Sequence, residues 1–188
     1  FWTWAAQSKV DPIPLKRAEG VYFWDVTGKR YLDFNSMVMN VNIGHGDKRV
    51  EEAIIEQVRE LPAAGPHLTS RPRAYLGKLL ADITHEQFNH FLYTLGGGDA
   101  NENAVKLARQ FTGKHKILTR YRSYHGATLG AAALTGDPRR VAWEPNVMPG
   151  VVHFLDPYGY RSTFHRDMPD VDEDRLSRDY LNHLEEII

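Results

Sequence analysis

The chain has 188 residues, 42% of them hydrophobic and 25% charged, and its formal net charge at pH 7 is -1. This composition is typical of a soluble globular protein of one domain or slightly more, and it indicates neither a nucleic-acid partner nor a membrane partner. The sequence has no cysteine, which excludes disulfides, zinc thiolate sites and a cysteine nucleophile; no metal site is predicted, and we expect a cytoplasmic protein.

The N-terminal part of the sequence predicts an irregular arm followed by a β-hairpin. Residues 1–19 mix aromatic, proline and charged residues without periodicity. Residues 21–26 and 30–34 are rich in aromatic and β-branched residues, and they flank the turn-forming residues 27–29. Two such runs around a short polar turn are typical of a hairpin, for which we expect a structural role.

Two amphipathic helices are predicted after the hairpin. Apolar residues recur at helical spacing from residue 48 to residue 61, and Asp47 is a favourable N-cap. Pro62 ends this helix, and a second helix is expected to begin near Pro72, because proline is tolerated in a first helical turn. The apolar side of the second helix, which we expect to be buried, consists of Tyr75, Leu76, Leu79, Leu80 and Ile83.

From residue 88 the sequence alternates between short apolar runs and longer helical patterns. Strands are predicted at residues 88–94, 116–120 and 151–155, helices at 100–112, 126–134 and 172–188, and a long loop at 156–174. This alternation indicates βαβ units and a mainly parallel sheet, and therefore an α/β fold. The apolar positions of the last helix are still in step when the sequence stops, so we expect a fragment of a larger protein.

Three consecutive glycines, Gly96 to Gly98, lie where a predicted strand becomes a predicted helix. A helix N-terminus presents unpaired N–H groups and a positive dipole end, and glycine lets an anion approach closely, so the stretch indicates either a phosphate site or a tight structural turn. Asp99 stands where a P-loop has lysine, and no third glycine completes a dinucleotide-binding pattern. Because Asp99 would repel a phosphate, its side chain must turn away or cap the helix.

A second polar cluster, residues 121–128, directly follows the predicted strand 116–120. In a parallel sheet this loop lies at the same carboxyl edge as the glycines, where ligands usually bind. Tyr124 offers a flat ring for stacking and His125 a polar group beside it, although such a pair taken alone is more often structural. The two loops together indicate a phosphorylated aromatic cofactor.

Several stretches, in this order and spacing, resemble the N-terminal portion of the class III aminotransferases, which are pyridoxal-5'-phosphate (PLP) enzymes of fold type I. The matching stretches are residues 20–25, 28–33, 42–46, 96–102, 106–109 and 124–128. The resemblance implies an N-terminal arm, hairpin and first helix over residues 1–61. It further implies that residues 62–188 are the first, incomplete part of the large PLP-binding domain, with its mainly parallel sheet.

The resemblance also implies roles for individual residues. Gly97 and Gly98 should offer backbone N–H groups to the PLP phosphate, Tyr124 should stack on the pyridine ring, and His125 should lie beside it. The family commonly has a hydroxyl residue in the glycine stretch, and its absence here leaves only backbone donors in this loop. Met39 and Asn40, with Val38 next to them, lie where the family lines its substrate pocket, although core packing is at least as good an interpretation for Val38.

In this family, the lysine that forms a Schiff base with PLP and the acid that holds the pyridine nitrogen protonated both follow the stacking tyrosine. None of the eight lysines of this chain has a matching context. We therefore expect both groups to lie outside these residues and the isolated chain to be inactive. As part of a complete protein, it is expected to transfer an amino group from an amino acid or amine to a 2-oxo acid, as a homodimer. Alternatives are a PLP-dependent aminomutase or decarboxylase, or a non-catalytic dimerisation or anion-binding module.

Overall fold

The computed structural model describes residues 6–65, 67–142, 144, 147–160, 162–165 and 172–188. The chain divides into two compact units, one ending at Phe91 and the other beginning at Leu92. The domain boundary expected between residues 61 and 62 refers to the complete protein and stays a prediction.

A three-stranded antiparallel sheet forms the centre of the first unit. Its strands are β1 (Leu15–Glu19), β2 (Tyr22–Asp25) and β3 (Arg30–Leu32), in the order β1-β2-β3. The predicted hairpin is therefore confirmed, whereas the prediction that the whole arm is irregular is wrong for β1; residues 1–5 of that arm lie outside the described residues. Every residue of β1 is exposed. The strand therefore lacks the alternation of apolar and polar residues by which a half-buried strand is recognised in a sequence.

The turn between β2 and β3 is organised by the carboxylate of Asp25. Its Oδ1 accepts hydrogen bonds from the backbone N–H groups of Thr27 (2.8 Å) and Lys29 (3.0 Å), and its Oδ2 accepts one from the Tyr31 hydroxyl (3.0 Å). The hydrogen bond from the Thr27 side chain is the largest contribution that lowers the pKa of Asp25. The turn is thus fixed by one buried acceptor group.

The first unit also contains two longer helices, α1 (Lys48–Glu60) and α2 (Arg71–Ile83), and two short helical turns, Gln7–Lys9 and Ser36–Met39. The backbone N–H of Arg49 donates to the Asp47 side chain (3.0 Å), which confirms the predicted N-cap. The predicted burial of the apolar side of α2 is wrong for the described structure, in which Tyr75 and Ile83 are 69% and 63% exposed. Helical periodicity locates such a helix, but burial also requires a partner surface, which the described residues do not supply.

The second unit alternates helices and strands as predicted. It contains α3 (Gly97–Thr112), β4 (Ile117–Arg120), α4 (Leu129–Leu134), a 3₁₀-helix (Pro138–Ala142), β5 (Val151–Phe154) and α5 (Glu173–Ile187). Strands β4 and β5 pair in parallel, with Ile117 opposite Val151 and Arg120 opposite Phe154. The buried apolar residues of this unit are Val105 and the four residues 131–134.

Two predicted elements of the second unit differ from the structure. Residues 88–94 form no strand, because no other described segment pairs with them. Helix α4 begins at Leu129 instead of residue 126, because Gly126 has a φ of +137°, which no α-helix accommodates.

The segment that follows β5 packs against α5. The ring of Phe164 meets the ring of Tyr180 edge-on at 5.0 Å, and Nε2 of His165 lies 2.7 Å from Oδ2 of Asp179. The predicted long loop is confirmed at residues 156–160 and 162–165, where no helix or strand is present, and Asp172 caps α5. Position 161 and positions 166–171 of this loop lie outside the described residues.

Candidate functional site

Helix α3 begins directly within the glycine stretch. Gly96 is its N-cap, and the first helical hydrogen bond runs from the N–H of Ala100 to the carbonyl oxygen of Gly96 (3.0 Å). Among the described residues, the N–H groups of Gly97, Gly98 and Asp99 have no hydrogen-bond acceptor, and no side chain caps them. Three free donors at the positive end of a 16-residue helix form a suitable environment for an anion.

Asp99 points away from these donors. Its Oδ1 accepts a hydrogen bond from Nδ2 of Asn103 (3.0 Å), one turn further along the helix, and its carbonyl oxygen accepts a second one (2.9 Å). Of the two orientations expected from the sequence, turned away or capping the helix, the structure has the first. The carboxylate therefore does not compete with an anion for the N–H groups.

The loop after β4 lies against the glycine stretch, backbone to backbone. A Cβ added to Gly126 would lie 2.8 Å from Cα of Gly98 and 2.8 Å from Cβ of Ala131, distances that real Cβ atoms essentially never show. This close approach requires glycine at position 126. It brings the predicted phosphate site and the loop of Tyr124 and His125 together, as their common sheet edge implied.

Two side chains of α3 form hydrogen bonds to the segment from this loop to the start of α4. Nδ2 of Asn101 donates to the carbonyl oxygen of His125 (2.8 Å), and Oε1 of Glu102 accepts from the N–H of Gly130 (2.9 Å) in the first turn of α4. The Thr128 hydroxyl is the largest contribution that lowers the pKa of Glu102, and backbone N–H groups of α4 add to it. Glu102 thus acts as an acceptor for the N-terminus of α4.

These two positioning residues were not assigned a role from the sequence. They stand within the glycine motif, as an amide and an acid in the first two turns of α3. Only their position in the glycine motif could have indicated this role. Hydrogen bonds to a loop more than 20 residues away leave no recognisable pattern in the neighbouring sequence.

His125 is held through its backbone and its ring. Its N–H donates to the hydroxyl of Thr135 (3.1 Å), a side chain that is only 2% exposed, and its Nε2 lies 3.4 Å from the hydroxyl of Thr119. The Thr119 hydroxyl itself donates to the carbonyl oxygen of Leu134 (2.9 Å), so it can only accept from His125. This arrangement favours the tautomer with the proton on Nε2 and leaves Nδ1 as an acceptor.

Tyr124 presents a partly open ring beside His125. Its side chain is 46% exposed, and the guanidinium carbon of Arg139 lies 4.2 Å from the centroid of its ring. An exposed aromatic ring next to free backbone donors is a combination that can bind a phosphorylated aromatic molecule.

Met39 and Asn40, predicted to line a substrate pocket, belong to the first unit. Ser36, Met37, Val38 and Met39 have φ values of 52°, 49°, 59° and 65°, which form one turn of left-handed helix. Residues other than glycine rarely adopt this conformation, and such strain is concentrated at functional sites. Met39 is 72% exposed, and Nδ2 of Asn40 donates to the carbonyl oxygen of Met37 (2.8 Å). The role of these two residues in substrate binding stays a prediction.

Comparison with known proteins identifies relatives over nearly the whole chain. The family model of the class III aminotransferases matches residues 3–187. The uncharacterized aminotransferase YhxA of Bacillus subtilis is 37% identical over 161 residues, and the putrescine–pyruvate aminotransferase of Pseudomonas aeruginosa is 31% identical over 154 residues. The alignments cover 82% and 78% of this chain, but only 35% and 34% of those proteins. The chain therefore spans about a third of the length of the curated relatives it matches.

A solved structure also matches this chain closely. It is the taurine:2-oxoglutarate aminotransferase of Bifidobacterium kashiwanohense in complex with PLP and glutamate, with 40% identity and a TM-score of 0.89. The match covers 99% of this chain and 41% of that one. In the part of the chain that the structure describes, no helix is both long and apolar enough to cross a membrane.

Proposed function

The chain belongs to the class III aminotransferases, and we propose that it is the N-terminal part of an enzyme that transfers an amino group to a 2-oxo acid with pyridoxal phosphate as cofactor. One observation carries this proposal: the free N–H groups at the start of α3 lie next to the loop of Tyr124 and His125. A phosphate and an aromatic ring are the two parts of PLP that these groups would bind.

The residues present fit the cofactor. The N–H groups of Gly97 and Gly98 would hold its phosphate, and the ring of Tyr124 would stack on its pyridine ring. His125 would lie beside the pyridine ring with Nδ1 available as an acceptor. When bound, PLP supplies the electron-withdrawing ring on which the amino group is taken from the donor and passed to the acceptor. These residues of the chain bind and orient the cofactor, and none of them serves as the proton-transferring base.

The lysine that carries the cofactor and the acid at the pyridine nitrogen are proposed to lie outside these 188 residues. The isolated chain should then bind PLP without a covalent bond and have no transaminase activity. The test is to incubate the isolated chain with PLP, reduce it with borohydride and search its peptides by mass spectrometry. A pyridoxyl group on a specific lysine of this chain would overturn this part of the proposal.

The phosphate-binding role of the glycine stretch is tested by replacing Gly98 with valine in the full-length protein. A Cβ at this position already lies 3.7 Å from Oγ1 of Thr128, so the two methyl groups of valine would crowd the N–H groups. Loss of one hydrogen bond to a charged group costs ~1.5–3 kcal/mol, which should raise the dissociation constant of PLP by roughly 10- to 100-fold.

The matched control is Gln110→Val, an exposed position about three turns further along the same helix. It introduces the same β-branched side chain into α3 and should leave the dissociation constant unchanged. Equal affinities of the Gly98→Val variant and the unaltered protein would refute the phosphate site.

The amino donor is proposed to be a compound with a terminal primary amine. Putrescine and taurine, named for two relatives, both carry the amino group on an unbranched terminal carbon, and the named acceptors are 2-oxo acids. Amino transfer from putrescine, taurine and alanine to 2-oxoglutarate should be compared in the full-length protein, and transfer from putrescine and taurine should also be measured with pyruvate as the acceptor. A kcat/KM for alanine well above those for both terminal amines would contradict the proposed donor class.

A homodimer and a cytoplasmic location are proposed from the resemblance and from the sequence composition, respectively. The exposed apolar residues of α1 and α2, such as Ile54 and Tyr75, are consistent with burial in a larger assembly. Light scattering of the full-length protein tests the oligomeric state, and a monomer would refute the homodimer.

A further inference from the structure

The side chain of Arg139 lies over the ring of Tyr124. Its guanidinium carbon is 4.2 Å from the ring centroid, well within the ~6 Å over which a cation is attracted to an aromatic face. Both side chains remain partly exposed, Tyr124 by 46% and Arg139 by 43%. The contact favours one orientation of the Tyr124 ring.

Asp137 holds the guanidinium of Arg139 in place. Nε of Arg139 lies 3.0 Å and 2.8 Å from the two carboxylate oxygens, a terminal nitrogen bonds the same carboxylate, and the backbone N–H of Arg139 donates to Oδ1 (2.8 Å). This hydrogen bonding is the main cause that lowers the pKa of Asp137 and raises the pKa of Arg139. Because these hydrogen bonds already fix the guanidinium, it loses little further conformational freedom when it packs on an aromatic ring.

The segment that carries Arg139 is joined to the loop that carries Tyr124. The N–H of Gly136 donates to the carbonyl oxygen of Ser123 (2.8 Å), and the N–H of Arg122 donates to the carbonyl oxygen of Gly136 (3.0 Å). These two hydrogen bonds lie immediately before Tyr124. They join the backbone that leads to Tyr124 to the backbone that leads to Arg139.

We propose that Arg139 is a positioning residue that fixes the ring plane of Tyr124 for stacking on the pyridine ring of PLP, with Asp137 fixing Arg139 in turn. The proposal rests on the proposed cofactor-stacking function of Tyr124. Any side-chain freedom that a tyrosine loses when the cofactor binds lowers the affinity. The contact with Arg139 contributes to ordering the ring before binding, so that this loss is smaller.

The test measures the dissociation constant of PLP for variants of the full-length protein. Arg139→Gln removes the cation and should raise the dissociation constant about three- to tenfold, the range expected for a partly exposed cation–ring contact. Asp137→Asn weakens the hydrogen bonds to the Arg139 guanidinium and should also raise the dissociation constant of PLP, but by a smaller factor.

Arg140→Gln is the matched control. Arg140 is the next residue on the same 3₁₀-helix, but it pairs with Glu144 (2.7 Å) and lies 5.7 Å from the ring of Tyr121 instead of Tyr124. Its replacement should leave the affinity for PLP unchanged.

A double-mutant cycle with Tyr124→Leu distinguishes positioning from a general structural role. Tyr124→Leu alone should raise the dissociation constant, and adding Arg139→Gln should then have no further effect. If Arg139→Gln has no effect on its own, or the same effect in both backgrounds, the positioning role is refuted while the function of Tyr124 stands. If Tyr124→Leu leaves the affinity unchanged, the stacking function itself is refuted, and the role of Arg139 with it.

Discussion

Replacing Gly126 with alanine should destabilise the protein and weaken the proposed binding of PLP. The new Cβ would lie 2.8 Å from Cα of Gly98, whereas non-bonded carbon atoms rest about 3.5–4.0 Å apart. The loop would have to retreat from the first turn of α3 by roughly 0.7 Å or more. Overpacking costs ~1–3 kcal/mol, and strain at the φ of +137° adds ~1–3 kcal/mol. We expect the free energy of unfolding to fall by about 2–6 kcal/mol.

The same retreat moves Tyr124 relative to the N–H groups of Gly97 and Gly98. Because the phosphate and the ring of one rigid cofactor must be held at the same time, the dissociation constant of PLP should rise roughly 10- to 100-fold. Urea unfolding of the isolated chain measures the stability, and titration of the folded full-length protein with PLP measures the affinity.

Gly113→Ala is the control for backbone strain. Gly113 ends α3 with a φ of +66°, and a Cβ there would meet no atom within 4 Å. Its replacement should cost ~1–2 kcal/mol of stability without changing the affinity for PLP. If Gly126→Ala lost no more stability than this control and kept its affinity, the close contact between the two loops would not determine the site.

Two further predictions concern residues that hold the loop. Glu102 has a lowered pKa, so the stability it contributes is complete above the ordinary carboxyl value of 4.5 and is lost as the pH falls through the lowered value. Glu102→Gln should therefore lower the free energy of unfolding at neutral pH and make this free energy decrease less steeply as the pH falls. Urea unfolding at several pH values measures both effects. The same pH dependence in the variant and the unaltered protein would contradict this prediction. Thr135→Val leaves the buried N–H of His125 without its acceptor and should cost ~1–3 kcal/mol in the same assay. Thr135→Ser keeps the hydroxyl and should cost less; an equal loss would show that the hydrogen bond is not responsible.

The meeting of the two loops at the candidate site could be predicted from sequence, because alternating strand-like and helical patterns predict a parallel sheet and loops at the carboxyl edge of such a sheet converge. In the described residues this sheet consists of β4 and β5, and the two loops meet at Gly98 and Gly126. The positions of Gly98 and Tyr124 in these loops could therefore be inferred without contacts. Arg139 and Asp137 could not, because Arg139 lies on a short 3₁₀-helix whose sequence has no periodicity and Asp137 lies directly before it.

Apart from the start of α4, the errors in the predicted fold have one physical cause, which is that strands and buried faces depend on partners. Strand β1 is fully exposed and is defined by its pairing with β2, for example Arg17 opposite Trp24. Residues 88–94 have a strand-like composition but no pairing segment among the described residues. Helices were located more accurately, because their hydrogen bonds and caps, such as that of Asp47, are local.

The parallel pairing of β4 with β5 has a consequence for folding during synthesis. Its partners Ile117 and Val151 are 34 positions apart (151 minus 117), whereas Leu15 and Asp25 at one end of the antiparallel sheet are only 10 apart (25 minus 15). At a synthesis rate of ~5–20 residues per second, β4 leaves the ribosome roughly 2–7 seconds before its partner. During this interval both edges of β4 are unpaired, which makes β4 the segment of the second unit where newly made chains are most exposed to association and to chaperone binding.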